Sequence, residues 1–437
     1  ISYCNCLSLS INNKMSDERP NKQRKLVGHA NFVRHNPKSD RFGIIKFHHV
    51  EYWTSDAVNT ARRFTWGFGM HEVAASNLTT GNRHCACTVI QSNDVSFVFT
   101  APYNNDDAAK EGSVFPHPQY DQDQAHEFVK KHGMAVRAIG ILVEDARAAY
   151  DRSVENGAVG VCPPTDCVDA ATGKSCVVSE IKSVDDVVLR FMSGNYDGAF
   201  LPNMTPVETP DISYGITRVD HIVTNVPVLF DAVDYLIGAV GLHEFAEFTA
   251  EDVGTVDSGL NSMVLANNSE SVLMPFNEPT HGTRRQSQIQ TYLEHNNGSG
   301  VQHIALKTDD IFHTMRELKQ RSLCGGFEFM PAPGQAYYDN VPNRIGADTL
   351  TADQFKELQA LGLLADRDDQ GVLLQVFTKP LGDRPTIFIE IIQRIGCDRD
   401  EQNQPKEQAS GCGGFGKGNF SELFKSIEEF EKTMEKY

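Results

Sequence analysis

Apolar and polar positions divide the chain into short strands and amphipathic helices that recur in one order. Residues 44–53 read as a strand, dense in β-branched and aromatic side chains. A helix is predicted from Ser55 or Asp56 to Gly67, because Ala57, Ala61 and Phe64 fall on one face. Three strands are expected next, at 70–73, 86–90 and 95–99. The same order returns with a strand at 218–223, a helix over 226–238, and strands at 242–245, 261–265 and 271–276. Residue matches accompany it: Phe47-His48-His49-Val50 against Val219-Asp220-His221-Ile222, and Met70-His71-Glu72 against Leu242-His243-Glu244.

Each half carries a second unit of that order. In the first half it has a strand at 134–143, a helix over 146–155, and strands towards 161, at 175–179 and at 187–191. In the second it has a strand at 301–308, a helix with Ile311, Met315 and Leu318 on one face, and strands near 327–330, 372–377 and 386–392. The expected fold class is therefore α+β, with tandem βαβββ modules forming two open β-barrel domains.

Two segments interrupt the repeat. Residues 331–364 read as a Pro/Gly-rich loop with a short helix begun near Thr351. After Arg394 comes a charged, Gln-rich linker, then a glycine run over 411–418. A helix begins at Asn419 as N-cap, with Glu422 three residues on and an apolar stripe of Phe420, Leu423, Phe424, Ile427 and Phe430. A flexible glycine hinge before such a helix suits a lid, and a terminal helix docked on a core gives the same pattern. The expected boundaries are a disordered leader over 1–25, a first domain over 26–208, and a second over 209–437 with its lid helix at 419–434.

A chain of 437 residues exceeds one ordinary core, in agreement with two domains. The net charge of −18 argues against nucleic acid or an anionic membrane as partner. No apolar run approaches a membrane span. The ten cysteines include no Cys-x-x-Cys pair, and Cys85 and Cys87 share a strand face as packed thiols. Without a secretory signal, the cysteines are expected to be reduced and the protein intracellular. Met15 opens an ordinary-looking start, so the residues before it read as upstream sequence or a truncated leader.

Chemistry concentrates in the run Thr386-Ile387-Phe388-Ile389-Glu390-Ile391-Ile392-Gln393-Arg394. A carboxylate inside so apolar a strand needs an arginine, a proton or a metal ion, unless it sits on a solvent-facing edge. The repeat supplies candidates, with His221 and His303 on the first strands of the third and fourth modules. Two histidines and one carboxylate with open positions form the facial set of non-haem iron(II) oxygenases. In the first half, matching residues 143–145 to 308–310 sets Ala138 opposite His303 and the apolar run around Leu189 opposite Glu390. Only His49 remains there, opposite His221. Phe388 shares a strand face with Glu390, and Gln375 shares one with Phe377.

These residues carry a resemblance. Over 26–434 the chain resembles the 4-hydroxyphenylpyruvate dioxygenase family of the vicinal oxygen chelate superfamily, most closely its plant-type members. The carrying motifs are Phe47-His48-His49-Val50-Glu51-Tyr52-Trp53, Thr80-Gly81-Asn82, Phe99-Thr100-Ala101-Pro102-Tyr103, Gly300-Val301-Gln302-His303-Ile304-Ala305, Leu374-Gln375-Val376-Phe377-Thr378 and the Glu390 strand. Gly413-Gly414-Phe415-Gly416-Lys417-Gly418-Asn419-Phe420 also matches. The resemblance implies that His221, His303 and Glu390 bind Fe(II). It further implies that Ser262, Asn277, Gln288, Gln302 and Gln375 surround the substrate, with the three glutamines catalytic. Phe377 and Phe388 would sandwich the substrate ring, and Asn419, Phe420 and Phe424 would close the lid. The activity implied is conversion of 4-hydroxyphenylpyruvate and O2 to homogentisate and CO2, in a cytoplasmic homodimer with no nucleic-acid or membrane partner. Three alternatives remain open from the residues: a hydroxymandelate synthase, an extradiol dioxygenase or glyoxalase, and a non-catalytic small-molecule binder of the same fold.

Overall fold

The computed structural model describes residues 24–103, 117–169, 172–254, 258–396 and 411–434. Strands of the first half are β1 (Ile44–Trp53), β2 (His71–Ser76), β3 (Cys85–Ser92), β4 (Val95–Pro102), β5 (Ala135–Val143), β6 (Gly160–Val168), β7 (Ser175–Val184), β8 (Val187–Gly194) and β9 (Thr205–Pro206). Those of the second are β10 (Ile216–Asn225), β11 (His243–Phe248), β12 (Leu260–Ala266), β13 (Leu273–Pro279), β14 (Gly300–Thr308), β15 (Leu364–Arg367), β16 (Val372–Phe377) and β17 (Phe388–Ile395). The first sheet runs β6-β7-β8-β5-β1-β4-β3-β2-β9, the second β11-β12-β13-β10-β14-β17-β16-β15. Within each module the first strand lies parallel to the last, as in β10 with β13 and β14 with β17. The two modules of a half then join through antiparallel pairing of their first strands, β1 with β5 and β10 with β14. The strands that carry His221, His303 and Glu390, β10, β14 and β17, are consequently neighbours at the centre of the second sheet.

Both central seams carry bulges at matching places. Val219 pairs with Leu306 and His221 with Ala305, so Asp220 is an extra residue; His303 and Val301 pair with Val223 and Thr224, so Gln302 is another. In the first half His48 and Arg137 are extra residues at the corresponding places. A bulge turns a side chain that strict alternation would send to the opposite face, which matters for the site below.

The first helix, Ala57–Phe68, starts where Asp56 accepts from the Asn59 N–H and stops at Gly69 in the left-handed region. It buries Ala57, Ala61, Phe64 and Phe68 against a core continuous with the second half, where Phe68 stacks on Phe327 at 4.5 Å. Residues 327–330 are not a strand. Only Phe329 bridges Thr378, and the sheet position beside β16 is filled by β15. Four helices depart from expectation, Gln122–His132, Ala250–Val253, Gln288–Asn296 and Gln335–Ile345; the last contains Pro342, which reads as a breaker in sequence.

Residues 24–41 run along the second sheet rather than the first. Asp252 accepts from the His29 N–H at 2.9 Å, Arg34 covers the Phe245 ring at 3.7 Å, and Asp40 exchanges hydrogen bonds with Asn268. Among the described residues six cysteines are free thiols, whereas Cys412 is disulfide-bonded, against the expectation of reduced thiols throughout. The expected leader falls, apart from residues 24 and 25, outside the described residues, as does most of the linker after Arg394. No helix among the described residues is long and apolar enough to cross a membrane.

Candidate metal centre and pocket

His221, His303 and Glu390 converge as the sequence predicts. Their ligand atoms lie within 4.8 Å of one another, and all three side chains are buried. Glu390 Oε2 is 3.2 Å from His221 Nε2 and 3.4 Å from His303 Nε2. The β14–β17 ladder pairs Ala305 with Glu390 and His303 with Phe388, so backbone register places these ligands.

The bulges supply what the alternation alone would not. Asp220, turned by its bulge, sits with a carboxylate oxygen 2.9 Å from His221 Nδ1. Gln302 Oε1 lies 3.0 Å from His303 Nδ1. Both partners accept from Nδ1, so Nε2 is the ring nitrogen that each histidine turns to Glu390, donating to the carboxylate when protonated and offering its lone pair to a cation when not. Asp220 is in turn held by Arg394, Nε to Oδ1 at 3.0 Å and a terminal nitrogen to Oδ2 at 2.6 Å, with both side chains wholly buried.

The electrostatics follow from those contacts. Burial pushes the Glu390 carboxyl up, but hydrogen bonds and charge from His221 and His303 outweigh it and bring it down to about 2. Burial likewise raises Asp220, and Arg394 and His221 reverse this to well below the carboxylate range. Burial lowers His221, yet Asp220 and Glu390 raise it overall; for His303 burial prevails and its pKa is lowered. Arg394 thus neutralises Asp220, and Glu390 keeps a buried negative charge whose only ionic partners among the described residues are two imidazoles. That donor set fits a divalent cation.

Beside these ligands lies a pocket, partly open to solvent, with about 50 Å³ of free space. Of the expected substrate residues, Ser262, Asn277, Gln288, Gln302, Gln375, Phe377, Phe388 and Phe420 line it. Asn419 and Phe424 do not. Asn419 is buried at the start of the last helix, accepting from the Tyr337 hydroxyl at 2.7 Å and from Arg344 at 3.1 Å. Phe424 packs into an apolar cluster with Phe245, Leu260, Ile289 and Tyr292. Phe377 and Phe388 stand edge to face, centroids 6.0 Å apart at 80°, rather than as parallel plates, and Phe388 stacks on His303 at 4.8 Å. Sequence reasoning missed the walls Val223, Phe248, Val264, Pro275, Phe415 and Leu423. Three of them were within reach of period two, since Val223, Val264 and Pro275 lie two residues from His221, Ser262 and Asn277.

The counterpart in the first half differs from expectation at one position. Gly140 pairs with Arg190 as Ala305 pairs with Glu390, so Arg190, and not the apolar run around Leu189, stands in the place of Glu390. His49 matches His221, pairing with Gly140 as His221 pairs with Ala305. Buried Arg190 reaches Glu51 at 2.6 Å, Glu180 at 2.7 Å and His49 Nε2 at 3.1 Å. A fixed guanidinium occupies the barrel centre where the second half gathers metal-ligand atoms.

Comparison with known proteins agrees with this geometry. The family model described as the Glyoxalase/Bleomycin resistance protein/Dioxygenase superfamily matches residues 218–344. A triple mutant of 4-hydroxymandelate synthase from Streptomyces coelicolor superposes with a TM-score of 0.70 over 89% of this chain and 99% of that one, at 22% identity. Fold and site together define a vicinal oxygen chelate protein with a two-histidine, one-carboxylate centre in its second half. The 4-hydroxyphenylpyruvate dioxygenase of Daucus carota is 56% identical over 416 residues, 94% of this chain and 92% of that protein. That of Arabidopsis thaliana is 54% identical over 423 residues, 94% of this chain and 93% of that protein. The chain belongs to the 4-hydroxyphenylpyruvate dioxygenase family.

Proposed function

We propose that this chain is an Fe(II)-dependent dioxygenase that converts 4-hydroxyphenylpyruvate and O2 to homogentisate and CO2. One observation carries the reading: Glu390, buried and ionised between two imidazoles, stands at the end of a cavity walled by Phe377 and Phe388. The kinship to dioxygenases of that name supports the substrate. His221, His303 and Glu390 would hold the iron, which when bound supplies a chelating site for the 2-oxo acid and the activation of O2.

The chain's own residues orient and enclose the substrate. Phe388, fixed by its stack on His303, and Phe377 give the aromatic ring two walls at right angles and restrict which ring face meets the centre. Gln375 Oε1 is buried with no hydrogen-bond partner among the described residues, so it can accept from the phenolic O–H. Ser262 and Asn277, opposite one another in the β12–β13 ladder, and Gln288 add polar groups to the walls. Phe420 and Leu423 of the C-terminal helix line the cavity and narrow its opening to solvent. One oxygen atom of O2 enters the new carboxylate as CO2 leaves. The other enters the ring as the side chain migrates.

A 4-hydroxymandelate synthase is the second reading, favoured by the superposition above, which bears on fold alone. Oxygen consumption with 4-hydroxyphenylpyruvate, with and without added Fe(II), followed by chromatographic identification of the product, separates the two. Homogentisate is expected, and Glu390→Ala is expected to abolish its formation. Hydroxymandelate, or metal-independent turnover, overturns the proposal. The same reading places the enzyme in tyrosine catabolism and quinone or tocopherol precursor supply, as a cytoplasmic homodimer.

A further inference from the structure

Arg394 links the turn before the C-terminal helix to the residues around His221. Arg394 spends its Nε and one terminal nitrogen on Asp220, the carboxylate that orients His221. Its other terminal nitrogen donates to two backbone carbonyls, Cys412 at 2.5 Å and Gly414 at 2.6 Å. Those carbonyls belong to the glycine turn that precedes the helix. The turn is packed rather than loose. Gly411, Gly413, Gly414 and Gly416 all have φ between 72° and 79°, and a Cβ on Gly411 would come within 2.7 Å of the Phe245 ring. Phe415, carried by the same turn, lies edge-on to the His221 ring at 5.3 Å and lines the cavity.

We propose that Arg394 is a positioning residue that couples the seating of the glycine turn and C-terminal helix to the orientation of His221. The inference rests on the metal centre proposed above. The guanidinium is planar with five fixed donors, so it can satisfy a carboxylate edge and two carbonyls at once; an ammonium cannot hold that fork. Lifting the turn removes two acceptors from a buried cation and takes Phe415 off the His221 ring. Both changes alter the support of one ligand. Coupling between two sites is reciprocal, so metal at His221 must in turn favour the seated turn.

The test uses the full chain, Co(II) under anaerobic conditions as probe, its visible absorption as the binding signal, and hydrogen–deuterium exchange as the second readout. Co(II) loading of the unsubstituted protein is expected to slow exchange over 411–424. Failure of Co(II) and Fe(II) to bind at all would overturn the metal centre itself, whereas binding without slowed exchange there overturns the coupling. Arg394→Lys is expected to weaken Co(II) binding by about 10–100-fold and to lose the metal-dependent protection of 411–424 while keeping that of strand 300–308. Wild-type protection of 411–424 in that variant, whatever its affinity, overturns the proposal. If Arg394→Lys does not fold, Asp220→Asn with Arg394→Gln replaces the ion pair by neutral groups and is read in the same way.

Discussion

At the scale of single residues, the pocket depends on a close approach that only glycine permits. A Cβ on Gly416 would lie 2.3 Å from Gln375 Oε1, and the residue has φ of 73°. Gly416→Ala should cost about 1–2 kcal/mol through left-handed strain and displace Gln375, raising KM for the keto acid more than it lowers the melting temperature would suggest. Steady-state kinetics beside thermal unfolding checks this. Phe388→Leu removes the ring that stacks on His303, so kcat for homogentisate should fall while O2 uptake falls less, measured as the ratio of product to oxygen consumed. Period-two spacing made Phe388 with Glu390, and Gln375 with Phe377, legible in sequence. Asp220 was not legible as a partner of His221, because adjacent strand residues normally face opposite ways and the bulge that brings them together leaves no mark in the pattern.

At the scale of elements, the four modules were readable because each repeats one order of strand and helix. The missed elements are β15, which takes the sheet position expected for 327–330, and helices outside the repeat. Gln122–His132 buries only Ala125, Phe128 and His132, too thin a stripe to stand out, and Pro342 disguised Gln335–Ile345. That last helix matters to the site, because its Tyr337 hydroxyl donates to Asn419 and accepts from the Ala365 N–H at 2.8 Å. It ties the start of the C-terminal helix to β15. Tyr337→Phe should destabilise the protein by about 1–3 kcal/mol and speed exchange over 419–424, with both effects read in one hydrogen-exchange series under denaturant.

At the scale of the molecule, two halves of one architecture solve the same buried-charge problem differently. The second gathers a donor set for an ion, and the first uses Arg190. Removing that cation should be severe, since Glu51 and Glu180 would be left buried and uncompensated. Arg190→Met is expected to cost about 3–5 kcal/mol, read by chemical unfolding. Acid should act on the same cluster. Burial and neighbouring cations lower His48 to about 4 and His49 well below the usual range, so both are neutral when folded. Burial raises Glu51 and Glu180, but Arg190 and His117 outweigh it and lower both. Every one of these groups binds protons less readily folded than unfolded. The stability they give is present above their unfolded pKa values and is lost as pH falls, beginning below about 6.5 for the histidines and continuing below about 4.3 for the carboxylates. Trp53 donates to Glu51 at 3.1 Å and reports on this cluster. With Trp66 replaced by Phe, Trp53 fluorescence should shift in acid before far-ultraviolet dichroism changes.

The placing of the proposed ligands His221, His303 and Glu390 on β10, β14 and β17 bears on metal choice. Three adjacent strands locked by a backbone ladder present the same nitrogen and oxygen donors to whichever divalent ion arrives. Such a scaffold has little means of rejecting an ion by size or shape, so intrinsic affinity should rise from Mn(II) through Fe(II) to Co(II). Which ion the enzyme carries in a cell is then decided by supply, and protein purified without control of the medium should contain a mixture.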